Sequence, residues 1–107
     1  MTASQVTLEP GGWSSQRHWH EGEDELVVML SGEAVLIDDD GETILRAGDI
    51  ATFAKGLRNG HHLVNRSDSV AVFVAVGAGR NEGGSYPDID MMFTADDRYV
   101  RKDGTDY

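Results

Sequence analysis

The four histidines of the 107-residue chain fall in two tight clusters, His18 with His20 and His61 with His62. Side chains alternate faces along an extended strand. His18 and His20 therefore point one way, and Arg17 and Trp19 the other. Two imidazoles on one face suit adjacent positions on a single metal ion. Glu25 follows after a turn at Glu21-Gly22 and opens an apolar stretch, sharing a face with Val27 and Met29. A carboxylate among apolar neighbours is costly unless a cation or a hydrogen-bond donor meets it. Glu21, Glu23 and Asp24 read as turn residues facing water. In the second cluster His61, Leu63 and Asn65 alternate with His62 and Val64. Only one histidine can face inward with Leu63. The facing argument selects His61 and turns His62 outward, with His62 the alternative fourth ligand.

Neutral imidazoles plus one carboxylate make a borderline donor set, suited to a divalent transition metal such as Fe, Mn, Co, Ni, Cu or Zn. An ion held by His18, His20, Glu25 and His61 would keep open positions for water or substrate, and those positions permit chemistry. Taken alone, a His-x-His pair is more often an ordinary surface feature of a strand. The joint pattern of glycines, paired histidines, glutamate and a later histidine points to a metal.

Such donors need a scaffold of short strands, and the sequence supplies one. Apolar, β-branched runs fall at residues 6–8, 13–20, 26–30, 34–37, 43–45, 50–53, 61–65 and 70–76. Turn signals separate them: Gly11-Gly12, Ser31-Gly32, Asp40-Gly41, Gly48-Asp49, Asn59-Gly60 and Ser67-Asp68. Asp40-Gly41 between two apolar runs is a strong hairpin signal. No long segment has helical periodicity, so the expected class is all-β, an antiparallel barrel or sandwich. Residues 78–107 differ. They are rich in Asp yet carry Tyr86, Ile89, Met91, Met92, Phe93, Tyr99 and Val100. An arm with that many large apolar groups is expected to pack on the barrel or on a second subunit, within a single domain spanning 1–107.

Nineteen Asp and Glu against nine Lys and Arg give a formal charge of −10. A phosphate backbone or anionic membrane would be repelled. With no cysteine there is no disulfide, thiolate metal site or thiol nucleophile. Residues 1–10 lack the basic start and apolar run of a secretory signal, and no apolar run approaches the ~20 residues that span a bilayer. A soluble, cytoplasmic protein is the expectation. Asp38-Asp39-Asp40-Gly41 lacks the ligand spacing of a calcium loop, and Gly77-Ala78-Gly79 lacks the setting of a phosphate loop.

The pattern Gly12, His18, His20, Glu25, Gly32 resembles the first motif of the cupin superfamily without a gap. Gly48, Gly56, His61 and Asn65 resemble the second, with Ala54 in place of its proline and four residues rather than two between Gly56 and His61. The strings WSSQRHWH, NGHHLVNRSD and YPDIDM, and the ending RKDGTDY, look like a subgroup of small bacterial single-domain cupins of unsettled activity. The resemblance implies a double-stranded β-helix, the jelly-roll barrel of the family. It also implies a metal on His18, His20, Glu25 and His61, and pairing as a homodimer through edge strands and terminal arms. Two functions are compatible with it. One is a metal-dependent enzyme of dioxygenase, decarboxylase, isomerase or lyase type acting on a small organic molecule. The other is a non-catalytic module that binds a small molecule or metal.

Overall fold

The computed structural model describes all 107 residues and contains strands only. The elements are β1 (Thr2–Leu8), β2 (Trp19–His20), β3 (Glu23–Ser31), β4 (Glu33–Asp38), β5 (Gly41–Arg46), β6 (Ile50–Phe53), β7 (His62–Val64), β8 (Ala71–Gly79), β9 (Gly84–Tyr86), β10 (Met91–Phe93) and β11 (Tyr99–Val100). One antiparallel sheet has the order β1-β8-β3-β6, and a second has the order β5-β4-β7. A third sheet, β11-β10-β9-β2, is built from the C-terminal arm and the His20 segment.

Alternation along the strands sets the core. Val27 and Met29 on β3, Ala34 and Leu36 on β4, Leu45 on β5, Leu63 on β7 and Ala71 and Phe73 on β8 form one buried cluster between the first two sheets, closed by Leu8. Only nine buried residues make that cluster, a thin core in which each large side chain counts. The hairpin expected at Asp40-Gly41 joins β4 to β5, with Asp38 opposite Gly41 at its tip. Gly32 takes φ 71° at the β3–β4 corner, where a Cβ would come within 2.5 Å of the Val70 carbonyl oxygen. No side chain fits there.

The expected strand over residues 13–20 is interrupted. Trp13 bridges to Val64 and His18 to His61, but the chain between them bends. The serines are the reason. Ser14 Oγ accepts the Leu63 amide at 2.9 Å, taking the place of a main-chain carbonyl, and Ser15 Oγ donates to the Gln16 carbonyl at 3.0 Å. Short hydroxyl side chains compete with the ladder in this way. As a result Gln16, which strict alternation would place on the face of His18 and His20, borders a different depression with Trp13, Arg17 and His62.

Asn65 knots the end of β7 to its surroundings. It is wholly buried. Its amide donates to the carbonyls of Leu8 (2.9 Å) and Ser69 (2.8 Å), and its Oδ1 accepts from the amide and hydroxyl of Ser67 (3.0 and 2.7 Å). The side chain uses every donor and acceptor it has, which is how a buried amide becomes tolerable.

Candidate functional site

Glu25 stands on β3 between Phe53 of β6 and Gly77 of β8. The missing side chain at Gly77 leaves room on one flank. On the other, the Phe53 ring lies flat on the His61 imidazole, centroids 3.5 Å apart. The bridge between His18 and His61 carries His18 to the same place, and β2 adds His20. The four side chains singled out from the sequence are thus neighbours. His61 Nε2 is hydrogen-bonded to Glu25 Oε1, and His20 Nε2 stands 3.7 Å from Glu25 Oε2. The His18 ring is 5.0 Å from that of His20 and 6.1 Å from that of His61.

As they stand, the side chains do not close round one point. His61 occupies one oxygen of Glu25, and no group of three donors is preformed. The tautomers nevertheless suit a cation. His18 Nδ1 lies 2.9 Å from the Gln16 carbonyl and His61 Nδ1 lies 3.2 Å from that of Asn59. A carbonyl only accepts, so each Nδ1 carries a proton, and the neutral His18 ring offers its Nε2 lone pair inward. His61 then sits between two acceptors, the Asn59 carbonyl and the Glu25 carboxylate. It needs either a proton on both nitrogens or a cation in place of the inner one. His20 Nδ1 is buried with no partner, a further polar atom that the protein alone leaves unsatisfied.

Electrostatics agree with that donor chemistry. Burial pushes the His18 imidazolium below its ordinary range, with help from His20 and His61, against the Gln16 carbonyl and Glu25. Burial by itself would raise Glu25. Its hydrogen bond to His61 and the charges of all three histidines outweigh burial and hold the carboxyl below the usual range. A neutral imidazole beside an ionised carboxylate is the state in which both can bind a metal.

His62 faces away from this group, as the alternation requires, but it is covered rather than exposed. Its Nδ1 donates to the Ser15 carbonyl at 2.8 Å, and its ring meets Trp13 edge-on with centroids 5.1 Å apart. The interrupted 13–20 segment makes that cover.

A cavity of about 260 Å³ opens over His18 and His20. Its wall was not foreseen. Glu23, expected to face water, heads β3 two residues before Glu25 and lines the cavity. That two-residue spacing was the available signal. The arm supplies Asn81, Tyr86, Phe93, Asp97 and Tyr99. Phe93 lies edge-on to both His18 and His20, and Tyr86 tilts over His18 at 5.3 Å. Gly84 makes this possible: a Cβ there would lie 2.0 Å from the Trp19 carbonyl oxygen and 2.3 Å from the Phe93 ring. No local pattern in the sequence ties residues 81–99 to His18.

Arg17 fixes the arm from the other side of the chain. Its guanidinium donates two hydrogen bonds to Asp88, both 2.9 Å, a third to Asp39 (2.7 Å) and a fourth to the Gly60 carbonyl (2.8 Å). One side chain thus ties the arm, the β4–β5 hairpin and the loop before His61. Arg58 lies over the Trp19 ring, 5.4 Å from its centroid.

The Cupin domain family model matches residues 4–77. Among solved structures, a sugar phosphate isomerase of the cupin superfamily from Silicibacter pomeroyi is 43% identical with a TM-score of 0.89. The match covers 98% of this chain and 69% of that one. A predicted oxalate decarboxylase from Thermotoga maritima is 30% identical (TM-score 0.65), covering 72% and 64% of the two chains. A conserved protein with a double-stranded β-helix domain from Klebsiella pneumoniae is 28% identical (TM-score 0.68), covering 78% and 70%. No curated protein matches. No helix is long and apolar enough to cross a membrane.

Proposed function

The chain belongs to the cupin superfamily, and on that premise we propose that it is a metal-dependent isomerase of a small sugar, its ion held by His18, His20, Glu25 and His61. One observation carries the choice of reaction. The likeness to the sugar phosphate isomerase covers 98% of the chain, and so includes the arm that walls the cavity. The likeness to the predicted oxalate decarboxylase covers only 72%. Oxalate is moreover a dianion, and the cavity is lined by Glu23 and Asp97 with no Lys or Arg.

When bound, the ion would polarise a carbonyl or hydroxyl oxygen of the sugar. The chain's own groups do the rest. Aldose–ketose interconversion moves one hydrogen between adjacent carbons and one between their oxygens, and consumes no co-reactant. Of the cavity's two carboxylates Asp97 is paired with Asn81, and Glu23, on the same strand as Glu25, is assigned the proton transfer between carbons. Tyr86 holds its proton: burial raises the phenol above its ordinary range, and the charge and hydrogen bond of Tyr99 add to that. It can therefore donate to a substrate oxygen. Phe93 covers one side of the His18 and His20 rings.

The test is proton NMR of the metal-loaded protein with aldoses and ketoses in heavy water. The expected result is interconversion, with deuterium entering at the carbon beside the carbonyl. Glu23→Gln should slow exchange by about 10²–10⁴-fold with metal content unchanged. If the loaded protein exchanges no sugar proton, the isomerase reading falls. The homodimer suggested by the family resemblance is part of the same proposal and is read from the mass in solution.

A further inference from the structure

We propose that the arm makes this cavity a site for an uncharged, polyhydroxylated ligand, a free sugar or polyol rather than its phosphate ester. The inference rests on the isomerase reading and narrows its substrate class. The cavity has two ends. His18, His20 and Glu23 lie at the inner end, and Asn81, Asp97 and Tyr99 come from the arm. Of the last three, Asp97 and Tyr99 are exposed, which places them at the rim. A ligand whose reacting carbons lie toward His18 and His20 turns its far end to this rim. A phosphate there would need cations or clustered backbone amides.

None is provided. Asp97 puts a carboxylate at the rim, and Asn81 Nδ2, a neutral donor, gives one of its two N–H groups to Asp97 Oδ1 at 2.7 Å. Arg98, the next residue, pairs instead with Asp96 (3.0 Å) and Asp106 (3.4 Å). Lys55 and Arg80 border a separate depression, and Glu21 and Glu82 line it with them. The whole chain carries −10, so the long-range field also opposes a phosphate dianion.

The groups that are present suit hydroxyls. Carboxylates accept O–H donors, and the phenols of Tyr86 and Tyr99 add further partners. Tyr86, Phe93 and Tyr99 present aromatic surface to the C–H face of a ring. At about 260 Å³ the cavity is below the usual range for drug-sized ligands, as a monosaccharide site would be. Asp97 is also held in place. Its backbone sits in the left-handed region, φ 63°, at the turn where its amide donates to the Thr94 carbonyl (3.0 Å).

The experiment is calorimetric titration of the metal-loaded full chain with ribose, xylose, glucose, mannose and fructose, and with their monophosphates, at low and high salt. Metal content is measured on the same samples. We expect at least one free sugar to bind at least ten-fold more tightly than its phosphate ester, with an affinity that salt leaves unchanged. Asp97→Asn preserves the left-handed turn, since Asn tolerates that conformation, and can still accept from Asn81. It should weaken the sugar about ten-fold without loss of metal. Asp97→Lys should reverse the preference toward the ester. Tighter binding of an ester to the unaltered protein overturns the inference, as does saturation by neither set. Loss of metal or of proton exchange with sugar binding intact counts against the metal-dependent isomerase alone.

Discussion

His61 and His62 are adjacent, both buried and both hydrogen-bonded through Nδ1 to a carbonyl, yet they have opposite surroundings. His61 meets Glu25 and the face of Phe53; His62 meets Trp13. His61→Ala should therefore lower bound metal at least ten-fold, whereas His62→Ala should leave its stoichiometry intact, as read by elemental analysis of the purified variants. Equal losses would show that the strand's facing has been misassigned. Asn65 makes a different prediction. Asn65→Ala strands the Leu8 carbonyl and the Ser67 amide, while the Ser67 hydroxyl keeps the Ser69 carbonyl at 2.9 Å, and should cost about 3 kcal/mol in denaturant unfolding. Local rules sufficed for these residues. The period of two in a strand separates His61 from His62, and the same period links His18 to His20 and Glu25 to Val27. That rule failed at Gln16, where Ser14 and Ser15 hydroxyls replace ladder partners and reset the alternation.

The eight expected strand regions each contain main-chain pairing because their apolar alternation has one buried face to satisfy. The arm was legible in composition and in the family-like strings YPDIDM and RKDGTDY, but its strands were not. Strands β9 to β11 are two or three residues long, too short for a periodic signal, and their partner β2 lies some sixty residues earlier. What holds them is tertiary: the Arg17–Asp88 pair and the close approach at Gly84. Arg17→Ala should speed amide hydrogen exchange across residues 84–100, with a local stability loss of about 1 kcal/mol because Asp88 is half exposed. The same contact predicts a pH dependence. Asp88 is held below its ordinary 3.8, chiefly by the Arg17 hydrogen bond. Its contribution is complete above 3.8 and is lost as pH falls through the lower folded value. Exchange in the arm should accordingly quicken in acid, and Arg17→Ala should abolish that acid dependence. Unchanged protection in the variant would mean that Arg17 does not hold the arm.

Across the whole molecule, β3 of the first sheet, β2 of the arm's sheet with the residue that enters it, and the residue before β7 bring the four donors to one place, and the segment after residue 77 roofs it. The Cupin domain match ends at residue 77, whereas the likeness to the Silicibacter pomeroyi structure runs on through the roof. The barrel's thin core gives a stability test. Phe73→Ala should cost about 3–5 kcal/mol and shift the denaturant midpoint without changing which residues bind metal. The most direct measurement for the central claim is anomalous diffraction from crystals of the metal-loaded protein. The account predicts one ion among His18, His20, Glu25 and His61, with the Glu25–His61 hydrogen bond opened to admit it. An ion bound elsewhere, or that hydrogen bond intact at saturating metal, would contradict it.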